Sequence, residues 1–404
     1  MRLLRFLLVF LGVAILVVGS IFWINRDSFI TVFQNRAAIL EGSEWVEKTY
    51  SLAGLIEFMA EQPRHAALVS IADPSGNGPI RYRSDHMYPA GTLAGLFIII
   101  TYAEQVTSGT IHPDDPVDPG HISSFYIPDM DRHYRQQLER WILDQEENPR
   151  AGALVRYLSR HNDPAVADYL YFYLGAEQVR AMTLQLGNGM IEPPFPQYGL
   201  RMMALKDVSG SRELSDRINE LSRKERDVLI DEAETLARVQ WENPKEAENA
   251  SISSFQDQRA LHGLYPRIQP DRFAELLRDI RNNRLINPET SMKIREIIQK
   301  PVEDRLLEPH VNEYASRFDE RMGYLAGWTL AGPAGNKSDR SIDNKSDRIQ
   351  VIIIQDIPAG LWFHMNSNFM IRDYHHRLIY DPSVRERTRE LLMPAGRASQ
   401  STVP

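Results

Sequence analysis

The stretch "MYPAGTLAGLFIII", residues 87–100, places a hydroxyl where a nucleophile could stand. A Pro-Ala-Gly turn leads into a helix that is apolar on almost every face, as expected at the centre of a domain. Thr92 is its first position, and Gly95 follows one turn later, where a base would have to be. Thr92 equally suits the N-cap of this helix, and Gly95 suits close packing of another helix.

A second stretch, "HNDPAVADYLYFYLG" at residues 161–175, carries an imidazole and a carboxylate two positions apart. His161 could relay a proton, and Asp163 could orient it. The pair Asp163-Pro164 is also typical of an ordinary helix start, with aspartate as the cap and proline in the first position. The second interpretation predicts a structural role for Asp163.

A third stretch, "RMGYLAGWT" at residues 321–329, carries an arginine on a strand pattern. A guanidinium binds a carboxylate through two parallel N–H groups, so Arg321 is a candidate substrate-binding residue together with Gly323. The alternative for Arg321 is a surface ion pair.

Composition excludes several kinds of site. The 404 residues include 46 Lys and Arg against 54 Asp and Glu, a formal net charge of −8, which argues against nucleic acid as the main partner. Cysteine is absent, which excludes disulfides and thiolate chemistry. His375 and His376 are adjacent and so point in different directions. The sequence predicts neither a metal nor a cofactor.

Residues 6–24 predict a membrane anchor. They read "FLLVFLGVAILVVGSIFWI", with Ser20 as the one clearly polar residue, and their helical length nearly matches the hydrocarbon thickness of a bilayer. Arg2 and Arg5 precede them, which keeps the N-terminus cytoplasmic and places the remaining chain outside. A cleaved signal peptide is the alternative, yet the apolar run continues past its cleavage site at residues 18–20.

The elements that must position the candidate groups follow in a simple order. Residues 26–60 predict a stalk and a first helix, before a hairpin formed by "HAALVSIAD" (65–73) and "PIRYRS" (79–84). Residues 113–310 predict mostly helices. Within them, the charged stretch 206–250 predicts a helical insertion with a solvated face.

Strand patterns return at "RMGYLAGWTLAG" (321–332) and "RIQVIIIQD" (348–356). The pentamer "NKSDR" occurs twice between them and predicts a long exposed hairpin loop, while "PSVRERTRELLM" predicts a closing helix and 394–404 a flexible tail. The predicted fold class is α/β of the α+β type. A mainly antiparallel sheet from both ends of one domain, residues 61–393, carries an inserted all-helical subdomain, after an N-terminal transmembrane helix in residues 1–25.

This order of motifs resembles the penicillin-recognising serine hydrolases, that is, class A β-lactamases and the related DD-peptidases. The resemblance runs from about residue 60 to residue 356 and is clearest at "RYRSDHMYPAGTLAGLFIIITYAEQVTSGTI". It implies S-x-x-K at residues 92–95, S-D-N at residues 161–163 and K-T-G or K-S-G at residues 321–323. None of the three motifs is intact.

The departures from the motifs bear on the chemistry that the resemblance implies. In S-x-x-K the lysine takes the serine proton, and Gly95 has no side chain to do so. His161 stands where the family's serine relays a proton to the leaving group, and Arg321 keeps the charge that would hold a substrate carboxylate. Glu192 lies where class A enzymes carry a deacylation glutamate, but its surroundings do not match.

Three hypotheses for the function remain open. The first is a membrane-anchored extracytoplasmic protein with a β-lactamase-like fold and degenerate motifs, which binds a cell-wall peptide or an envelope protein outside the inner membrane. The second is a hydrolase of β-lactams or peptidoglycan peptides in which His161 acts as base for Thr92 and Asp163 orients it. The third is an envelope assembly component that works through residues 206–250.

Overall fold

The structure is a computed structural model that describes residues 20, 33, 35–71, 78–128, 130–144, 149–207, 218, 220–247, 255–299, 318–322, 326–331 and 348–393. Apart from Ser20, the predicted anchor lies outside these residues, as do residues 332–347 of the predicted hairpin loop and the tail 394–404. No helix within the described ranges is long and apolar enough to cross a bilayer.

A five-stranded antiparallel sheet combines both ends of the chain. In chain order the strands are β1 (Ala66–Ile71), β2 (Ile80–Tyr82), β3 (Tyr88–Pro89), β4 (Arg267–Ile268), β5 (Phe318–Met322), β6 (Ala326–Ala331) and β7 (Arg348–Ile354). β3 and β4 form a separate two-stranded sheet. The sheet order is β2-β1-β7-β6-β5, and Val69 of β1 lies opposite Val351 of β7. The sheet that was predicted to join the N-terminal hairpin to the C-terminal strands is confirmed.

The stretch 321–332 was predicted as strand and contains parts of two strands. β5 and β6 pair antiparallel, with Arg321 opposite Trp328. Gly323 is a turn signal inside this stretch, but a lone glycine does not distinguish a reversal from a bulge.

Helices cover both faces of the sheet because its central strands are apolar at successive positions. On β7, Val351 and Ile353 belong to one apolar core, and Ile352 and Ile354 belong to the other. The helices are α1 (Arg36–Leu40), α2 (Ser43–Lys48), α3 (Leu52–Glu61), α4 (Gly95–Thr107), α5 (Pro119–Ser123), α6 (Arg132–Leu143), α7 (Ala151–His161), α8 (Pro164–Tyr173), α9 (Ala176–Gly187), α10 (Gln197–Asp207), α11 (Arg223–Glu242), α12 (Phe255–Gly263), α13 (Pro270–Arg281), α14 (Pro288–Ile298), α15 (Ala359–Ser367), α16 (Met370–Tyr380) and α17 (Pro382–Leu392).

One core lies between the sheet and the helices from the two ends of the chain. Trp45 of α2 and Phe58 of α3 are buried there with their rings 5.2 Å apart, beside Leu361 of α15. Part of the stretch 26–60 therefore packs with the domain, whose boundary at residue 61 stays a prediction. The closing helix is confirmed as α17.

The other core surrounds α4, the apolar helix predicted from residues 87–100. A turn of 3-10 helix, Gly91–Ala94, leads into it, and Gly109 follows it with a φ of 77°, as expected of a residue that ends a helix. In the charged stretch 206–250, α11 begins with a reciprocal capping box between Ser222 and Glu225.

The approach of α10 to α11 depends on a glycine. A Cβ on Gly199 would lie 1.7 Å from the carbonyl oxygen of Ala233, so only glycine allows the two backbones to come this close. This contact fixes α10, which carries one side of the site described next.

Candidate functional site

A cavity of about 690 Å³ lies beside the start of α4. Segments from α1 to α15, distant in sequence, form its wall, and Thr92, Gly95 and Asn162 line it. Aromatic rings supply much of the rest, among them Tyr134, Tyr171, Phe195, Phe255, Tyr265 and Trp362. The volume and the mixture of rings with a few polar groups are typical of a small-molecule site.

Thr92 does not cap the helix, so the prediction of an N-cap is wrong. Ala90 is the N-cap of the 3-10 turn, Ala94 precedes α4, and neither end has a side-chain cap hydrogen bond. The Oγ1 atom of Thr92 is shielded from solvent and has no hydrogen-bond partner among the described residues. The hydroxyl therefore has no direct access to solvent and no activating base bonded to it in the part of the chain that the structure describes.

Gly95 is buried at the first position of α4 and lines the cavity. Its place relative to Thr92 is the one predicted from the sequence, one turn along the same segment. Because glycine has no side chain, this position adds no charge, acceptor or base to the wall.

His161 and Asn162 take different directions at the end of α7. The Nδ1 atom of His161 lies 2.8 Å from Nε2 of Gln137, and its ring lies 4.3 Å from that of Tyr157. Asn162 has a φ of 53° and lines the cavity, whereas His161 is not among the lining residues. The structure thus brings Asn162, rather than His161, to the cavity with Thr92.

Asp163 caps α8, as its pairing with Pro164 predicted. Its Oδ1 accepts hydrogen bonds from the amides of Ala165 and Val166 at 3.0 and 3.2 Å, and its Oδ2 accepts one from the Tyr126 hydroxyl at 2.5 Å. Burial raises the pKa of Asp163 to about 6, although these hydrogen bonds oppose the shift. Both oxygens of this carboxylate therefore accept hydrogen bonds that stabilise the fold.

The other predicted residues lie elsewhere in the fold. Arg321 is placed by its backbone on the edge strand β5, and Gly323 lies outside the described residues. Glu192 accepts a hydrogen bond from the amide of Arg267 at 2.8 Å and pairs with Arg226 at 3.3 Å. Within the described ranges, no three His, Asp or Glu side chains converge as a metal site requires.

A buried charged cluster that the sequence did not indicate also lines the cavity. It consists of Asp131, Asp168 and Arg201. Nη1 of Arg201 donates to Oδ1 of Asp131 at 2.6 Å, and Asp168 accepts from the amides of Gln197 and Tyr198 at 2.9 and 2.7 Å. Burial raises the pKa of Asp168 to about 7, although the nearby Arg201 guanidinium opposes the shift.

His262 also lies on the cavity wall close to Thr92. A Cβ built on the neighbouring Gly91 would lie 3.5 Å from Nε2 of His262. Burial lowers the pKa of His262 to about 4, with Asp356 opposing the shift, so the imidazole is neutral at pH 7. A base with so low a pKa accepts a proton from a hydroxyl poorly.

These additional residues carry weak sequence signals. Arg201 follows Gly199 in "QYGLRMM", and His262 stands in "RALHGLY", and neither stretch matches a catalytic motif. An arginine in a predicted helix is usually exposed, so its position alone does not indicate a buried cluster. The sequence signal nearby is Gly199, because a glycine inside a helix often allows close packing of another element.

No family model matches the sequence, and no curated protein matches it. Matching solved structures include a β-lactamase from Sphaerobacter thermophilus, with 12% identity and a TM-score of 0.46 over 80% of this chain and 95% of that one. A β-lactamase from Chitinophaga pinensis matches with 9% identity and a TM-score of 0.46 over 82% and 99%. The class A β-lactamase of the last common ancestor of Gram-negative bacteria matches with 12% identity and a TM-score of 0.41 over 80% of this chain and 99% of that one.

The chain is thus similar to these solved β-lactamases over about four fifths of its length. At these scores the likeness assigns no role to any residue of this chain.

Proposed function

We propose that this chain is a ligand-binding protein of the bacterial cell envelope that has no serine-type acylation chemistry. Residues 6–24 anchor it in the inner membrane, the domain lies on the periplasmic or extracellular side, and the cavity beside Thr92 is its binding site. A cell-wall peptide or an envelope protein is its partner in this proposal.

The state of the Thr92 hydroxyl carries the proposal. Its Oγ1 is shielded from solvent and lacks a hydrogen-bond partner among the described residues, while Gly95 offers no base one turn later. An aliphatic hydroxyl without a base is a poor nucleophile near neutral pH. The Nδ1 atom of His161 lies 2.8 Å from Nε2 of Gln137, and His161 is not among the residues that line the cavity.

Covalent labelling tests the absence of acylation. We expect the full-length chain, in detergent, to acquire no label from a fluorescent penicillin under conditions that label an active DD-peptidase to completion, and not to hydrolyse the penicillin. Label that is acquired by the wild type and lost in Thr92→Ala would overturn the proposal and support the hydrolase hypothesis. Thr110→Ala is the matched control, because Thr110 is an exposed threonine that does not line the cavity.

The proposed location has its own test. After expression in a bacterium, the chain is expected in the membrane fraction, to resist extraction by alkaline carbonate, and to be digested by protease only after the outer membrane is opened. Extraction by carbonate, or protection from protease, would contradict the predicted anchor or its orientation.

A further inference from the structure

The exposed aromatic rings of the domain are concentrated near α1 and α15. Among the side chains that the structure describes, the exposed aromatic residues are Phe33, Tyr50, Phe363 and Phe369, which are between 39% and 75% exposed. Leu40, at the end of α1, is exposed as well. We call these five side chains the α15 surface. Single exposed apolar residues are ordinary, but aromatic rings concentrated at one end of a domain mark an interaction surface.

Contacts within the fold bring these residues to α15, on which Phe363 lies. The ring of Tyr50 lies 4.7 Å from that of His364 on the same helix. A Cβ on Gly360 of α15 would lie 2.2 Å from the carbonyl oxygen of Ile39, so α1 packs on α15 with the two backbones in close contact. Phe369 follows α15 directly, at the start of α16. The surface therefore combines residues from both ends of the described chain.

Phe369 has a backbone conformation that is unfavourable for its own residue type. Its φ of 50° lies in the left-handed region, which is rare for bulky residues. Elsewhere in this chain Asn162, Asn188 and Asn283 occupy that region, as is common for asparagine. The ring of Phe369 is exposed, so packing within the described fold does not offset the strain. An exposed ring held in a strained conformation indicates a contact outside the fold.

The sequence places this surface close to the predicted membrane anchor. The anchor ends at Ile24, nine residue-to-residue steps before Phe33. Nine steps span at most about 32 Å even when the chain is fully extended. A compact domain of about 330 residues has a diameter of about 50 Å. The connection is therefore too short to let the domain turn its opposite end to the bilayer.

The charged residues beside the surface are mixed in sign. Exposed on or next to α1 and α2 are Arg36, Glu41, Glu44, Glu47 and Lys48. A surface that binds anionic partners through charge would carry an excess of lysine and arginine. Aromatic rings favour the boundary between lipid headgroups and acyl chains through their apolar area. The residues therefore indicate phospholipid as the partner, bound by apolar contact.

We propose that the α15 surface lies in the lipid interface of the membrane that holds the anchor, with the rings of Tyr50, Phe363 and Phe369 between headgroups and upper acyl chains. The inference rests on the proposed function, since it requires residues 6–24 to be inserted in the membrane. It goes beyond the anchor because it fixes the orientation of the folded domain. Phe363 also lines the cavity, so this orientation brings one part of the cavity wall next to lipid.

Spin labels at single cysteines test the proposal, because the chain has no cysteine of its own. The full-length chain with Tyr50→Cys or Phe369→Cys is labelled and reconstituted into phosphatidylcholine vesicles. Power saturation of the EPR signal then compares collisions with oxygen, which concentrates in the bilayer, and with a water-soluble nickel chelate. We expect the oxygen-to-nickel ratio at both positions to be severalfold higher than at Leu143→Cys and Leu184→Cys, which replace exposed leucines of α6 and α9.

Ratios at positions 50 and 369 that equal those of the two leucine positions would overturn the proposal. Vesicles that also contain phosphatidylglycerol should give the same result, and a raised ratio that appears only with this anionic lipid would contradict an apolar contact. A chain that does not float with the vesicles contradicts the anchor and this inference together. Labels that stay exposed to water on a chain that floats contradict this inference alone.

Phe369→Asn separates the contact with lipid from the stability of the fold. Asparagine tolerates a φ of 50°, so the variant should unfold at a temperature no lower than the wild type. Removal of the ring should lower the oxygen-to-nickel ratio at Tyr50→Cys towards that of the leucine positions. Leu143→Asn is the matched control and should leave this ratio as it is. If Phe369→Asn also leaves it as it is, the ring makes no contact with lipid and the proposal is wrong.

Discussion

Two parts of the cavity wall differ in the polar groups that they contribute and in how those groups are hydrogen-bonded. The Thr92 wall, formed by Gly91, Thr92, Ala94 and Gly95, contributes a hydroxyl without a hydrogen-bond partner among the described residues and no charged side chain. The Arg201 wall, formed by Asp131, Asp168 and Arg201, contributes three buried ionisable groups joined to each other or to the backbone.

The two walls therefore differ in the chemistry that their side chains can support. Nucleophilic chemistry needs a base in contact with the hydroxyl, and the Thr92 wall has none among the described residues. The Arg201 wall instead holds its charged groups through hydrogen bonds to each other and to the backbone. Substitutions on each wall can break this contrast or make it sharper.

The largest effect is expected at the ion pair that fixes Arg201. Asp131→Ala leaves a buried guanidinium without its acidic partner and removes an acceptor from the amide of Ile127. We expect a loss of about 3–5 kcal/mol in the free energy of unfolding, measured in urea, because breaking a buried pair strands one charge.

Glu139→Ala provides the comparison for this loss, because its pair with Arg135 lies at the surface. There the expected loss is below about 1 kcal/mol. Similar losses in the two variants would show that the Arg201 wall is no more fixed than a surface pair.

The pH dependence of the free energy of unfolding tests whether the Asp163 carboxyl is buried in the folded chain. Its pKa is about 6 in the folded chain and 3.8 as an isolated group, so the folded state binds more protons between these values. The contribution of this group to the free energy of unfolding therefore increases as the pH falls below 6 towards 3.8. It decreases again as the pH rises through 6.

Asp163→Asn is expected to reduce the difference in the free energy of unfolding between pH 5 and pH 8 by about 1 kcal/mol. Asp118→Asn, at an exposed capping aspartate of α5, should leave that difference as in the wild type. An unaltered difference in Asp163→Asn would mean that the buried carboxyl does not take up the proton.

Local pattern was enough to predict much of the fold. Alternating and continuous apolar runs identified the hairpin of β1 and β2 and the strand β7, and Asp163-Pro164 identified the start of α8. These signals work because neighbouring residues determine a strand face or a helix cap.

The site was less predictable because its parts come from distant segments. Arg201 reaches the cavity through the close contact of Gly199 with α11, and Asp131 joins it from 70 positions away. At residues 161–162 the sequence could not show which side chain faces the cavity, since the left-handed backbone of Asn162 redirects the chain there. Motif spacing fixes order along the chain but not these long-range contacts.

The smallest expected effect concerns the Thr92 hydroxyl itself. Thr92→Val replaces a shielded hydroxyl that has no hydrogen-bond partner in the described part of the chain by a methyl group of similar size. We expect the free energy of unfolding to rise by about 1 kcal/mol, because an unpaired buried hydroxyl is costly.

Thr101→Val is the matched control on the helix α4 that follows, because Oγ1 of Thr101 is buried and donates to the carbonyl of Phe97 at 2.8 Å. There the same substitution removes a hydrogen bond and should lower stability by about 1 kcal/mol. Opposite signs in the two variants would establish that the Thr92 hydroxyl is unpaired in solution. A loss in both would mean that Thr92 has a hydrogen-bond partner after all, and the Thr92 wall would regain a place in the chemistry of the cavity.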